Sequence, residues 1–230
     1  MTTPVIPPRV AEIIELFPGA TWGTHRSRHL LVTATFVRLV LQPLDPGSIV
    51  SVARALHSRK LLRVSADGTL AAANAAPTLD RGLERRLERI TPKRFTVEIR
   101  WLSNRRHPLV FVLDPVINSQ THPPDLHLLP TLHPDVFAHA ICVYAPHEVR
   151  WNPLTDSQYQ LVLWISAWLA CKQFHQATGK WIGPEASHDL VTIARRFRHA
   201  ECHCGSGRPM RQCHPPEAQL AALRFRRPHP

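Results

Sequence analysis

The stretch CHCGSGRPMRQCH carries Cys202, Cys204, Cys213 and His214, four donors suited to a transition metal within thirteen residues. Zinc takes such a set in a tetrahedron, and four protein ligands leave no open coordination position, so the predicted site is structural. Gly205 and Gly207 allow the backbone to turn tightly around the ion. A second group lies upstream, where Cys142 sits in AICVY, with His133, Asp135, His139 and His147 close by in sequence. A cysteine thiol can carry an acyl group, because its thiolate is a good leaving group and a thioester is readily attacked by an amine. That chemistry needs an accessible sulfur, whereas a lone cysteine more often serves as a small buried apolar residue. Cys171 and His175 are one helical turn apart and suit a dyad or a pair of metal ligands, but Trp164, Trp168 and Cys171 also form one apolar stripe, which explains Cys171 as core.

The elements that must position these groups follow from the periodicity. A short helix is predicted around AEIIELF, a strand-rich run over LLVTATFVRLVL and a helix around SIVSVARALHSRKLL. Asp67 and Gly68 mark a hairpin turn, so the first block reads either as an α/β extension or as opening strands of the core. Leu83, Leu87 and Ile90 recur at helical spacing. In TVEIRW, Val97, Ile99 and Trp101 alternate with Thr96, Glu98 and Arg100, which predicts a strand with two distinct faces. PLVFVLDP reads as a buried strand, the proline-rich stretch 117–134 as an irregular arm, and Asp156 to about Thr178 as the longest helix.

Composition sets the outer limits. The 230 residues suit one sizeable domain with a small appendage. A net charge of +11 favours acidic partners, nucleic acid among them. Five cysteines, three of them clustered, fit metal binding or thiol chemistry better than a disulfide framework. No apolar run approaches the length of a membrane span, and MTTPVIPPRV lacks the features of a secretory signal, so a cytoplasmic location is expected.

Two resemblances sharpen this reading. In HPDVFAHAICVYAPHEVRWNP, His133, Pro134, Ile141, Cys142, Trp151 and Pro153 follow the order of the active-site stretch of ubiquitin-conjugating enzymes, a His-Pro-Asn, then Ile-Cys, then Trp-Ser-Pro. RFTVEIRWLSNRRHPLVFVLDP resembles the paired central strands of that family, and WLACKQFHQATGKWIGPEASH, ending at His188, is similar to the segment after the active site in bacterial relatives. The C-terminal cluster resembles the SEC-C module. The implied fold is α+β, an antiparallel ubiquitin-conjugating-like sheet with flanking helices and a small C-terminal zinc knuckle. Residues 1–76 form the extension or first strands, 77–190 the catalytic core and 195–218 the zinc motif.

The implied activity is transfer of a protein C-terminus, carried as a thioester on Cys142, to a lysine, with His133 and Asp135 as candidate active-site partners. The implied donor is a cGAS-like nucleotidyltransferase or a ubiquitin-like protein in bacterial antiphage defence, and the zinc module would contact a protein partner of acidic character. Asp135 departs from the family pattern: an ionised carboxylate opposes the oxyanion that the family's Asn steadies, so another donor, such as His139, His147 or a backbone N–H, is needed unless Asp135 orients the incoming lysine. No glycine-rich phosphate loop occurs, so an acyl group would come from a separate activating enzyme or without one. Two further functions fit the composition, a non-catalytic zinc-containing adaptor and a basic nucleic-acid-binding protein.

Overall fold

A computed structural model describes residues 6–26, 32–57, 62–72, 81–118, 120, 128–144, 151–179, 181, 182, 199 and 208–213. In chain order these form α1 (Pro8–Leu16), β1 (Thr21–Arg26), β2 (Thr33–Leu41), α2 (Ile49–His57), β3 (Leu62–Val64), β4 (Leu70–Ala72), α3 (Arg81–Leu87), β5 (Phe95–Leu102), β6 (Leu109–Asp114), β7 (Leu128–Leu132), β8 (His139–Ile141) and α4 (Gln158–Thr178). A one-turn helix, Met210–Cys213, lies in the C-terminal segment. The six longer-range strands make one antiparallel sheet in the order β1-β2-β5-β6-β8-β7. β3 and β4 form a separate hairpin.

Strand alternation sends two sets of side chains to opposite faces. Val37, Leu39 and Leu41 of β2, Val97, Ile99 and Trp101 of β5, and Val110 and Val112 of β6 join the main core with α1, α2 and α4. The register seats Val37 opposite Ile99, and Ile99 opposite Val110, so one apolar row crosses three strands. On the opposite face Leu109, Phe111 and Ala140 make a smaller cluster with Leu102, Leu113 and Leu129 against it. β5 is therefore buried on both sides, and Glu98 and Arg100 are almost fully enclosed. The alternation in TVEIRW is as expected, but its polar face is not a solvent face.

α4 is the central helix. Ser157 accepts from the Tyr159 N–H at its start, and Glu12 of α1 accepts from the Gln158 N–H at 2.8 Å and from the Ser157 hydroxyl at 2.5 Å. A carboxylate at that end is favoured by the exposed N–H groups and the helix dipole. Gly179, at φ 72, ends the helix with its N–H on the His175 carbonyl, a left-handed position that suits glycine. Trp168 and Cys171 face the core and Trp164 packs against it, as the apolar spacing predicts, but Leu161, Val162, Ile165, Leu169 and Phe174 are buried too. The helix is thus enclosed over more than one stripe.

Two expectations change and one strand, β1, is unforeseen. Within 117–134, expected to be irregular, residues Leu128–Leu132 form edge strand β7, in which Pro130 is tolerated because an edge strand needs fewer ladder N–H groups. β1 carries no strong apolar alternation, which is why its strand is not evident from sequence. The ring of Phe36 lies over Gly23, where a Cβ would come within 2.8 Å of it, so a bare strand residue completes the packing of its neighbour. The helix expected to continue to Leu62 ends at His57, and Leu62 opens β3. The Asp67–Gly68 turn is present, with Gly68 at φ 85 and Asp67 Oδ1 accepting from the Thr69 N–H.

Leu169→Ala, which empties a fully buried position on α4, is expected to cost about 2–5 kcal/mol in denaturant unfolding. Leu154→Ala, at an exposed site, is expected to stay within about 0.5 kcal/mol.

Candidate active site

Cys142 follows the last residue of β8 directly, and its side chain is partly exposed. β8 is placed by Ala140 opposite Phe111 of β6 and by pairing with β7 on its other side. The His139 N–H donates to Ile117 O at 3.0 Å, and its Nδ1–H donates to Leu129 O at 3.2 Å, which fastens the strand just before the thiol. Cys142 Sγ is 3.6 Å from the Tyr144 carbonyl oxygen, in donor geometry. Chain direction, strand end and partial exposure together present the sulfur at the margin of the sheet.

The turn leading into β8 is held from the sheet's second face. Glu98 accepts from Arg100 Nε at 2.7 Å, from Arg38 Nε at 2.8 Å and from His133 Nε2 at 3.1 Å. The Asp135 N–H donates to His133 Nδ1 at 3.1 Å, so Nδ1 carries the lone pair and the ring proton sits on Nε2, directed at Glu98. Arg100 Nη2 lies 3.1 Å from the same Nε2 because both groups converge on one carboxylate oxygen. Burial acts to raise the Glu98 carboxyl, but hydrogen bonds from His133, Arg38 and Arg100 outweigh it and bring the group down to about 2. The Arg100 guanidinium also lies over the Phe36 ring at 5.8 Å, and Phe111 meets the His133 ring edge-on at 5.0 Å.

His133 is thus enclosed, with Glu98 and the Asp135 N–H as its ring's hydrogen-bond partners and Arg100 beside it, and it fixes the 133–138 turn, where its N–H also donates to Ala138 O. Asp135 is exposed on that turn. The structure brings His133 and Asp135 together through the Asp135 backbone, and both precede Cys142 by less than ten residues.

On the other side of Cys142 stands an aromatic group. His107, buried in the β5–β6 connection, has Nδ1 2.8 Å from the Tyr144 hydroxyl. The Tyr144 ring lies 5.4 Å from Trp151 and 5.0 Å from Trp164 of α4, and the Trp151 indole N–H donates to Ser157 O at the helix start. Trp151, in the Trp-x-Pro match, thereby links the Tyr144 ring to the start of α4. Glu98, Arg100, Arg38 and His107 escaped the sequence reading, since a charged strand face reads as solvated; only the doubly apolar flanks of β5 and β6 hinted otherwise.

Cys171 is buried and its thiol donates to Ile182 O at 2.7 Å, which suits a core residue. His175, one turn on, has its ring 6.3 Å from Trp181. Of the predicted zinc ligands Cys213 is described, partly exposed at the end of the one-turn helix; Cys202, Cys204 and His214 lie outside the described residues, as do His147 and His188. Among the described residues no group of three or more His, Cys, Asp or Glu is placed to hold a metal ion, and no helix is long and apolar enough to cross a membrane.

Glu98→Gln leaves the Arg100 guanidinium buried without its carboxylate and is expected to cost about 3 kcal/mol at pH 7. Because folding lowers the Glu98 pKa from 4.5 to about 2, its stabilisation is complete above 4.5 and lost as pH falls towards 2. Acid unfolding followed by tryptophan fluorescence should therefore decline less steeply across that window in Glu98→Gln than in the parent chain.

No curated protein and no solved structure matches this chain. The mixed α+β architecture, a large antiparallel sheet with flanking helices, fits the fold of a ubiquitin-conjugating enzyme. Residues 84–189, from within α3 past the end of α4 and including Cys142, match the family described as Type II CBASS E2 protein, which makes this segment similar to the conjugating enzymes of that antiphage system.

Proposed function

We propose that Cys142 is the nucleophile of a conjugating-enzyme-like transferase. The observation that carries this is the partly exposed sulfur at the end of β8 inside the matched segment, in contrast to the buried thiol of Cys171. In the first step Cys142 Sγ bonds to the carboxyl carbon at an activated protein C-terminus, the activating group departs and the thiol proton passes to solvent or base. In the second, a lysine amine attacks that carbon, the C–N bond forms, the C–S bond breaks, and the sulfur takes back a proton. The family match supports a role in antiphage defence. A cGAS-like nucleotidyltransferase or a ubiquitin-like protein is the carboxyl donor we favour, with a protein lysine as acceptor.

His133 acts in this scheme as a positioning residue, shaping the turn that delivers β8. Asp135 is exposed and carries charge of the wrong sign for an oxyanion, so its place is beside the incoming lysine, whose ammonium it attracts. A backbone N–H near Cys142 supplies the oxyanion contact in place of the family's Asn.

The second part of the proposal is one structural zinc ion on Cys202, Cys204, Cys213 and His214. Three thiolates and an imidazole are a donor set that zinc favours, and the partly exposed Cys213 fits a ligand better than a core residue. The module would serve as a contact for a protein partner, acidic by complementarity with Arg195, Arg196, Arg198, Arg208 and Arg211.

Incubated with its carboxyl donor and activating system, the chain is expected to form an adduct on a non-reducing gel that disappears with thiol reductant. Cys142→Ser should lose it or replace it with a reductant-stable ester, while Cys171→Ser keeps it and loses thermal stability. Loss of the adduct in folded Cys171→Ser, with retention in Cys142→Ser, would assign the nucleophile to Cys171 instead. Protein purified without chelator should contain one zinc per chain by elemental analysis, and Cys204→Ser should lower it; absence of zinc removes the metal part alone.

A further inference from the structure

Tyr144 touches Cys142 with one end and the β5–β6 connection with the other. Its carbonyl oxygen faces Cys142 Sγ at 3.6 Å, and its hydroxyl is 2.8 Å from Nδ1 of His107, which is 5% exposed. Between these ends the ring is packed by Trp151 and Trp164, with Trp151 itself fastened to Ser157 O at the start of α4. Neither His107 nor Tyr144 is among the matched positions of the stretch around Cys142. The phenol, however, cannot swing without breaking the His107 contact, and the carbonyl that meets the sulfur belongs to the same residue, so a fixed ring restricts where that backbone can go.

A carbonyl oxygen has one chemical preference toward a thiol. It accepts from S–H and repels S⁻, so a fixed Tyr144 carbonyl favours the protonated sulfur and one orientation of the Cys142 side chain. We propose that His107 is a positioning residue for Cys142: by holding Tyr144 it fixes the carbonyl that keeps the resting thiol protonated and aimed in a single direction. The role rests on Cys142 being the nucleophile. It gives the sulfur a guarded resting state, from which an arriving acyl donor must draw it off the carbonyl.

The two ends of Tyr144 yield a split that destabilisation alone does not produce. With the latch cut, the small neutral reagent iodoacetamide should alkylate Cys142 about threefold faster at pH 7, the scale of one weak S–H···O contact, and the rate-against-pH midpoint should move down. Loading from the protein donor should slow, because orientation is lost. The experiment follows alkylation of Cys142 by peptide mass spectrometry in His107→Ala, His107→Asn, Tyr144→Phe and the His107→Ala/Tyr144→Phe pair, in the full chain. Asn places an amide near the position of Nδ1 and should return the rate towards that of the parent.

The double variant should be no faster than either single one, since each cuts the same contact. Alkylation of buried Cys171 reports folding: it must stay slow for a variant to count, and if His107→Ala exposes Cys171, Tyr144→Phe and His107→Asn decide. Unchanged Cys142 rate and pH midpoint in folded Tyr144→Phe, or additive effects in the pair, would overturn the proposal. If the parent chain never forms a thioester yet the latch variants still speed alkylation, the hold of His107 and Tyr144 on the Cys142 thiol stands, while the transferase reading and the catalytic meaning of that hold fall.

Discussion

A carboxylate buried in the middle of a sheet must be surrounded by donors or the strand cannot be there at all. Glu98 meets that condition with three of them, two guanidiniums and one imidazole, drawn from β2, its own strand and the turn before β8. The same cross-strand row runs Arg38, Glu98, Phe111, Ala140, so the charge sits in register with the smaller apolar cluster. Through His133 the carboxylate reaches the loop that delivers Cys142. Neutralising or misplacing it would leave Arg100 enclosed with no counter-charge, and three segments far apart in sequence would lose their common anchor.

The cysteine is held from two directions that share no residue. From the second face of the sheet comes the Glu98 and His133 group, acting on the turn before the strand. From the α4 side comes the aromatic group of His107, Tyr144, Trp151 and Trp164, acting on the residues after it. For the proposed nucleophilic role both matter, because a reacting atom displaced by about 1 Å loses most of the advantage of being positioned.

Much of this was legible in the chain. Alternation in TVEIRW gave the two faces of β5, the 3.6-residue spacing gave α4, and the resemblance carried by His133, Ile141, Cys142 and Trp151 falls in the segment that the family model matches. What periodicity could not carry is what lies over a polar face. Glu98 and Arg100 look like solvent-facing residues until Phe36 and Phe111 from neighbouring strands close over them, a matter of register between segments some sixty residues apart. β7 was hidden for a different reason: prolines argue against a strand unless it is at an edge, and edge position is a property of topology. His107 had no signal, since its partner lies 37 residues away.

One of the two edge strands, β7, also decides what can pair with the sheet on its side. β7 carries Pro130, whose nitrogen has no hydrogen to give, and its pairing with β8 slips between Leu128 and Leu132. An extended segment from another chain would find there no evenly spaced row of donors and acceptors to zip onto. Strand-by-strand growth of the sheet is thereby opposed at the β7 border.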